Sequence, residues 1–263
     1  MNSIAGSLDL SGKVALVTGG GRGIGATTSV MLARLGADVA INYNASKEEA
    51  EKVHRKIDAM ERRVVSIEAD VGEILQCQEL VRRTEETFGR VDILVSNAGI
   101  GQRHKIVETP DEEWDRVMNV NARATFALVR ELLPGMMERK YGRIVTISSS
   151  IAAYGTGGGS FSTYAASKAA LIALTKGIAH EGAPYVTANT ILPCVIQKHQ
   201  ELDEEKIIEI DGEKRLDWLG MRLLTGRTGQ PEDIAHAIAY FASDASEYVT
   251  GQSLNVGGGS LMP

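Results

Sequence analysis

The chain has 263 residues, 43% of them hydrophobic, and a formal net charge of −6 at pH 7. This length and hydrophobic content are enough for one sizeable core, whereas the acidic balance argues against a general nucleic-acid or acidic-membrane surface. Cys77 and Cys194 form neither a metal-spaced nor a redox pair, and the sequence contains no apolar span of about 18 residues and no signal-peptide pattern. These features predict a soluble, cytoplasmic protein with no bound metal and no nucleic-acid or membrane partner.

Short β-rich runs alternate with longer helical patterns along the chain. Several of these runs are almost continuously apolar, as is typical of parallel strands that are covered on both faces. The predicted strands are 13–18, 37–43, 63–69, 91–96, 143–148, 185–192 and 252–256. The predicted helices include 24–35, 46–60, 73–88 and 231–242. This alternation predicts an α/β fold over residues 1–263, a single-domain, Rossmann-like, doubly wound parallel β-sheet flanked by helices.

Two further segments stand out from the alternation. The segment 109–140 opens with Thr109-Pro110 and Glu112, which predicts a helix that begins with a capping box and has proline at its first helical position. The region 197–224 is strongly charged and follows directly on a predicted strand, so it breaks the rhythm of the chain.

A glycine-rich stretch, TGGGRGIG (18–25), lies between the first predicted strand and the first predicted helix. Gly19, Gly23 and Gly25 leave room for a phosphate at the positive N-terminus of that helix, where backbone N–H groups are unpaired. The alternative is a turn that needs glycine only for tight packing of the strand on the helix. The location at the first strand-to-helix turn favours a dinucleotide-binding site.

The end of the second predicted strand bears on which dinucleotide is bound. Sheets that bind NAD normally carry an acid there to hold a ribose diol, but this chain has Asn42-Tyr43-Asn44 followed by Ser46. Arg22 lies in the glycine turn, and a guanidinium can engage a 2′-phosphate. The pattern favours NADP(H); the alternative is NAD(H), with Arg22 as a solvated loop charge.

Tyr164 and Lys168 lie four positions apart among small residues in the stretch STYAASKAALIAL (162–174). On a helix they would share one face, one turn apart. An ammonium about 4 Å from a phenol contributes about 4 kcal/mol at an effective dielectric constant of about 20, enough to lower the pKa of the phenol by roughly 3. We therefore predict an acid–base tyrosine; the alternative is an ordinary core aromatic residue.

With these motifs in place, the chain resembles the short-chain dehydrogenase/reductase family almost from end to end. Among its members the pattern is most similar to ketoacyl-carrier-protein reductases and polyhydroxynaphthalene reductases, both of which use NADPH. The other stretches that carry the resemblance are VDILVSNAG (91–99), NARATF (121–126), GRIVTISS (142–149), YAASK (164–168), GRTGQPEDIA (226–235) and TGQSLNVGGG (250–259). The resemblance implies an oxidoreductase that interconverts a carbonyl and a secondary alcohol, and a homotetramer built through paired helices, including the one that begins near residue 161.

The resemblance also implies roles for individual positions. The implied catalytic residues are Asn121, Ser149, Tyr164 and Lys168, with Tyr164 as the acid/base. The implied cofactor-binding residues are Gly19, Arg22, Gly23, Ile24, Gly25, Asn42, Tyr43, Asn44, Ser46, Asp70, Val71, Asn97, Ala98, Gly99, Tyr164, Lys168, Pro193 and Ile196. The charged region at about 197–224 would form the substrate lid.

The serine assignment and the activity both have competitors. Ser148 and Ser150 compete with Ser149 for the catalytic position, and the location directly after GRIVTI favours Ser149. A close rival activity is an NAD-dependent alcohol dehydrogenase of the same family. A rival from another class is a nucleotide-binding sensor or scaffold that has lost turnover.

The segment after the sixth predicted strand departs from the family pattern. Cys194 and Lys198 occupy positions where the family commonly has a glycine and a threonine near the nicotinamide carboxamide. We interpret Cys194 as a packing residue, since no base lies near it in sequence. Lys198 and His199 suggest attraction of an anionic substrate, and the alternative is a charged lid that faces water.

Overall fold

The computed structural model of the protein describes residues 7–154, 160–197, 207–210, 213–216 and 223–260. Its strands are β1 (Val14–Val17), β2 (Asp38–Tyr43), β3 (Val64–Glu68), β4 (Ile93–Ser96), β5 (Gly142–Ile147), β6 (Val186–Pro193), β7 (Ile207–Ile210), β8 (Glu213–Leu216) and β9 (Ser253–Val256). Seven of them form one sheet in the order β3-β2-β1-β4-β5-β6-β9, and every neighbouring pair is parallel. β7 and β8 form a separate antiparallel pair.

Helices cover both faces of the parallel sheet. They are α1 (Gly23–Arg34), α2 (Lys47–Asp58), α3 (Ile74–Phe88), α4 (Asp111–Met118), α5 (Ala124–Glu138), α6 (Ser150–Tyr154), α7 (Ser162–Glu181) and α8 (Pro231–Ala242). No helix among the described residues is both long and apolar enough to cross a membrane. The predicted α/β fold with a doubly wound parallel sheet is confirmed.

The apolar runs of the strands are continuous because each face of the sheet has its own core. Leu16 packs in the cluster that includes Leu128 of α5, whereas its neighbour Val17 packs in the cluster that includes Ile238 of α8. Successive side chains of a strand point to opposite faces, so a strand with helices on both sides has no position that faces water.

The predicted helix 109–140 differs from the structure in two respects. It is divided into α4, a π-helical turn (Asn119–Arg123) and α5. The predicted capping box at its start is wrong, because Pro110 is the N-cap residue and no side chain caps the helix. The hydroxyl of Thr109 instead donates to the carbonyl oxygen of Lys105 (3.0 Å). A capping box does occur at the start of α8, between Gln230 and Asp233.

The topology creates a cleft at one end of the sheet. β1 lies between β2 and β4. The chain builds the sheet outward from β1 in one direction through β2 and β3, and in the opposite direction through β4, β5 and β6. In such sheets the crevice outside the carboxyl ends of the central strands is the usual binding site. At the opposite end, Asp92 accepts hydrogen bonds from the backbone N–H of Val14 and from Arg90 (2.9 Å each), which ties the amino ends of β1 and β4 together.

Candidate active site

The glycine-rich turn lies where β1 ends and α1 begins. Gly19 and Gly23 have φ angles of 60° and 53°, which glycine adopts without a steric penalty. A Cβ at Gly25 would collide with the carbonyl oxygen of Gly19 and approach Nδ2 of Asn97 to 2.6 Å. A Cβ at Gly23 would meet nothing within 4 Å, so the turn is open in front of the helix N-terminus.

Buried polar side chains hold this turn in place. Asn42 accepts a hydrogen bond from the N–H of Gly19 (3.2 Å) and donates one to the carbonyl oxygen of Ala69 (2.9 Å). The hydroxyl of Thr18 accepts from the N–H groups of Asn97 and Ala98 (3.0 Å each). Asn42 therefore supports the backbone of the turn. Sequence reasoning missed Thr18, although its place directly before the glycines was the available signal.

The structure brings the other predicted cofactor residues to the same edge of the sheet. Those at the carboxyl ends of β1, β2, β3 and β4 are Gly19, Arg22, Gly23, Ile24, Gly25, Asn42, Tyr43, Asn44, Ser46, Asp70, Val71, Asn97, Ala98 and Gly99. Arg22 and Asn44 are exposed there, and the described residues place no acid at the end of β2.

Asp70 has partners that the sequence did not predict. Its carboxylate accepts hydrogen bonds from Arg116 (2.7 Å) and from the N–H of Gly72 (2.8 Å), and it also bonds to Asn44. Partial burial by itself raises the pKa of this carboxyl, but the hydrogen bonds and the charge of Arg116 hold the pKa below its ordinary value. Asp70 is thus an ionised group, fixed at the rim of the cleft.

Two of the catalytic residues implied by the resemblance, Lys168 and Asn121, are buried beside the segment that follows β4. The ammonium of Lys168, which is 3% exposed, donates to the carbonyl oxygen of Ile147 (2.7 Å). Asn121 bonds to both the N–H (2.8 Å) and the carbonyl oxygen (3.0 Å) of Ile100. A Cβ at Gly99 would lie 3.1 Å from Nζ of Lys168 and 3.3 Å from Oδ1 of Asn121, so a side chain here would require these two polar groups to shift.

The π-helical turn aims Asn121 into this group. The Nδ2 of Asn121 donates to the hydroxyl of Ser167 (3.0 Å), and the Ser167 hydroxyl donates to the backbone carbonyl of Tyr164 (2.7 Å). Single π-helical turns occur frequently at functional sites. Sequence reasoning missed Ser167; its position directly before Lys168 on the helix that carries Tyr164 was the only signal.

The three candidate serines have different surroundings. The side chain of Ser149 hydrogen-bonds to the Tyr164 phenol. The hydroxyl of Ser148 is buried and donates to the backbone carbonyl of Lys168 (2.7 Å). Ser150 is buried at the start of α6. Ser149 is therefore the serine whose hydroxyl contacts the tyrosine.

Burial shifts the pKa values of Tyr164 and Lys168. Burial raises the pKa of the Tyr164 phenol above its ordinary value, and the hydrogen bond from Ser149 offsets part of this rise. Burial lowers the pKa of Lys168 to about 8, because a site that excludes water disfavours the charged form of either group. The predicted lowering of the tyrosine pKa by the lysine is wrong for this arrangement, since Nζ bonds to Ile147 and lies 5.9 Å from the centroid of the Tyr164 ring.

The strand β6 brings two more predicted cofactor residues to the cleft. Pro193 is its last residue and pairs with Val256 of β9, and Ile196 forms a parallel bridge with Gly229. The thiol of Cys194 accepts a hydrogen bond from the hydroxyl of Ser260 (3.0 Å), and its role as a packing residue stays a prediction.

Part of the predicted lid lies outside the described residues. This applies to Lys198, to His199 and to the greater part of 197–224, so the lid and its attraction of anions stay predictions. Within the described ranges, no group of three or more His, Cys, Asp or Glu side chains is arranged to hold a metal ion.

Comparison with known proteins relates the whole chain to reductases and dehydrogenases. A family model described as enoyl-(acyl carrier protein) reductase matches residues 19–260. A 3-oxoacyl-(acyl-carrier-protein) reductase from Staphylococcus aureus is 35% identical over 257 residues, which cover 95% of this chain and 98% of that protein.

Two solved structures show the same similarity in three dimensions. A blue fluorescent protein from a metagenomic library, in complex with NADPH, has a TM-score of 0.86 and 34% identity, covering 97% of this chain and 100% of that one. A short-chain dehydrogenase from Burkholderia cenocepacia, in complex with NADP, has a TM-score of 0.81 and 32% identity, covering 95% of this chain and 98% of that one.

Proposed function

The chain belongs to the short-chain dehydrogenase/reductase family of NAD(P)-dependent oxidoreductases, and on that premise we propose an NADP(H)-dependent enzyme that interconverts a carbonyl and a secondary alcohol, with Tyr164 as the acid/base. One observation carries the proposal. The Tyr164 phenol bonds to Ser149, both residues being partly buried, close to the buried Lys168 and Asn121 and to an open glycine turn.

The residues present fit a dinucleotide cofactor. The space in front of Gly23 leaves the N-terminus of α1 accessible to phosphates, and the absence of side chains at Gly19 and Gly25 keeps the turn compact. Asn97 and Gly99 would line the ribose next to Lys168. When bound, the nicotinamide supplies or accepts a hydride.

The preference for NADP(H) rests on the end of β2 and on the glycine turn. Asn42 and Asn44 occupy the place where an acid would repel a 2′-phosphate, and the exposed guanidinium of Arg22 is available to bind one. Two similar solved structures hold NADPH and NADP. These observations favour NADP(H) over the rival, an NAD-dependent alcohol dehydrogenase.

The chain's own residues supply the proton and orient the substrate. Because burial raises the pKa of Tyr164, the phenol keeps its proton at neutral pH and can donate it to a carbonyl oxygen. Ser149 lies next to that phenol, and its hydroxyl can turn its one proton from the phenol to the carbonyl oxygen of the substrate. Lys168, with a pKa of about 8, carries its proton at pH 7 and places a positive charge beside the reacting group.

A sensor or scaffold without turnover would not need this arrangement. Burying an ammonium such as that of Lys168 opposes folding, and a protein without turnover would gain nothing in return. Asn121 and Ser167 add a buried hydrogen-bond network that leads to the backbone of Tyr164. This combination favours an enzyme.

The test is turnover of a panel of ketones of varied size and charge, with NADPH or NADH, followed by oxidation of the reduced nicotinamide. We expect a higher kcat/KM with NADPH. Tyr164→Phe should lose about 100-fold or more of turnover, while NADPH binding, measured by fluorescence titration, is retained. Tyr185→Phe is the control, because this exposed tyrosine lies at the amino end of β6. Wild-type turnover by Tyr164→Phe would refute the assignment of the proton donor.

The proposal extends to a homotetramer built through paired helices that include α7, as the family resemblance implies. Light scattering coupled to size-exclusion chromatography tests this directly. A monomer at the enzyme concentrations used in the assay would contradict it.

A further inference from the structure

Arg103, to which no role has been assigned, lies in the segment that passes the catalytic group. The segment after β4 passes Lys168 at Gly99 and bonds to Asn121 through Ile100. Three residues further on, the guanidinium carbon of Arg103 lies 5.3 Å from the centroid of the Phe161 ring. Phe161 is the N-cap residue of α7, three positions before Tyr164. Arg103 is therefore held against the first turn of the helix that carries the proposed proton donor.

Among the residues that the structure describes, none pairs with the charge of Arg103, whereas its two following neighbours in sequence have acidic partners. His104 is hydrogen-bonded to Glu113 (2.7 Å) and Lys105 is paired with Glu108 (3.9 Å). Arg103 forms no ion pair with any residue that the structure describes, and its side chain is exposed. An arginine stacked on an aromatic ring keeps its in-plane N–H donors available.

We propose that Arg103 is a specificity-determining residue that binds an oxyanion of the substrate, so that the preferred substrates are ketones, or the corresponding alcohols, carrying a carboxylate or a phosphate. The proposal rests on the proposed function and adds the substrate class. A planar guanidinium binds such groups through two parallel hydrogen bonds. The contact with Phe161 restricts the side chain beforehand, so less conformational freedom is lost on binding.

This observation is independent of the sequence-based hypothesis for an anionic substrate. That hypothesis depended on Lys198 and His199, whose placement the structure does not describe. Arg103 is in a different segment, and its position follows from its contact with Phe161.

The test compares matched substrates that differ in charge. One pair is acetoacetate and its methyl ester; the other is dihydroxyacetone phosphate and dihydroxyacetone. Arg103→Met should lower the ratio of kcat/KM for the anionic member to that for the neutral member about tenfold, an effect of the size expected for a charge-assisted hydrogen bond. Arg103→Lys should lower it less, because the point charge remains while the two-pronged geometry is lost. The pair that responds identifies the carboxylate or the phosphate.

Lys105→Met is the matched control. It removes one positive charge from the same loop, but Lys105 already has an acidic partner and is exposed. In Lys105→Met, the ratio of kcat/KM for the anionic substrate to that for the neutral one should equal the wild-type ratio. An unchanged ratio in Arg103→Met for both pairs would overturn the proposal, and so would an equal loss in Lys105→Met, which would indicate only the general field of the loop.

A binding measurement separates this proposal from the proposed function. Calorimetric titration with 3-hydroxybutyrate, in the presence of NADP, should give weaker binding to Arg103→Met than to the wild type. If no ketone is turned over but this difference is found, only the proposed function is contradicted. Two results together would overturn the role of Arg103. The wild type and Arg103→Met would have equal dissociation constants for 3-hydroxybutyrate, and they would have equal ratios of kcat/KM for dihydroxyacetone phosphate to that for dihydroxyacetone.

Discussion

The buried ammonium of Lys168 leads to a specific pH dependence of stability. Burial lowers its pKa from 10.5 to about 8 in the folded protein, whereas the unfolded chain keeps the ordinary value. The difference of about 2.5 corresponds to about 3 kcal/mol, because one pKa unit is worth about 1.4 kcal/mol. Below pH 8 the lysine is charged in both states, so the folded state carries the full cost of burying it.

The sign of the effect follows from proton binding. Between pH 8 and pH 10.5 the unfolded chain still holds a proton that the folded protein has lost, so the free energy of unfolding rises with pH across this window. Lys168→Met has no such group. The free energy of unfolding of the wild type, minus that of the variant, should therefore rise by about 3 kcal/mol over the window. At pH 7 the variant has no buried charge, which stabilises its folded state relative to the wild type. It also leaves the Ile147 carbonyl without its donor, and this loss reduces the gain in the free energy of unfolding by about 1–3 kcal/mol.

The assay is urea unfolding followed by circular dichroism, at several pH values from about 7 to about 11 and without cofactor. Lys176→Met is the control, because it removes a lysine that is exposed on the same helix, α7. Other groups that titrate in this range cancel in the difference. A flat or falling difference for Lys168→Met would refute the reasoning, as would an equal rise for Lys176→Met.

Three further comparisons, made with five substitutions, test the site. Ser149→Ala should lower kcat about 100-fold, whereas Ser148→Ala, which removes a hydroxyl bonded to a backbone carbonyl, should mainly lower stability; kinetics and urea unfolding of both variants check this. Gly25→Ala should abolish NADPH binding in calorimetric titration, because its Cβ would collide with the backbone of the turn, while Gly23→Ala adds only strain of about 1–2 kcal/mol. Arg22→Met should raise KM several-fold more for NADPH than for NADH; equal changes would contradict contact with the 2′-phosphate.

The sequence by itself determined the order of the elements and the place of the cleft. Continuous apolar runs predict strands that are covered on both faces, and the structure has Leu16 and Val17 in opposite cores. The glycines of the turn 18–25 could be recognised because only they tolerate its backbone angles and close contacts. Tyr164 and Lys168 could be placed together because helix periodicity puts both on one face.

Only the tertiary structure decided the properties that depend on distant neighbours. The π-helical turn interrupts the predicted helix at Asn121, whose side chain bonds to Ile100 and Ser167 in other segments. Local capping signals at Thr109 were overridden in the same way, by a hydrogen bond to the preceding turn.

The electrostatics of the site belong to the same category. The pKa of Tyr164 rises where the spacing alone predicted a fall, because burial by several segments outweighs one charge that is directed at a carbonyl. The contact of Arg103 with Phe161 was likewise absent from every local pattern, since the two residues meet only when the loop after β4 packs against the start of α7. Spacing along the chain determines which side chains share an element, whereas water exclusion and charge balance depend on how the elements pack.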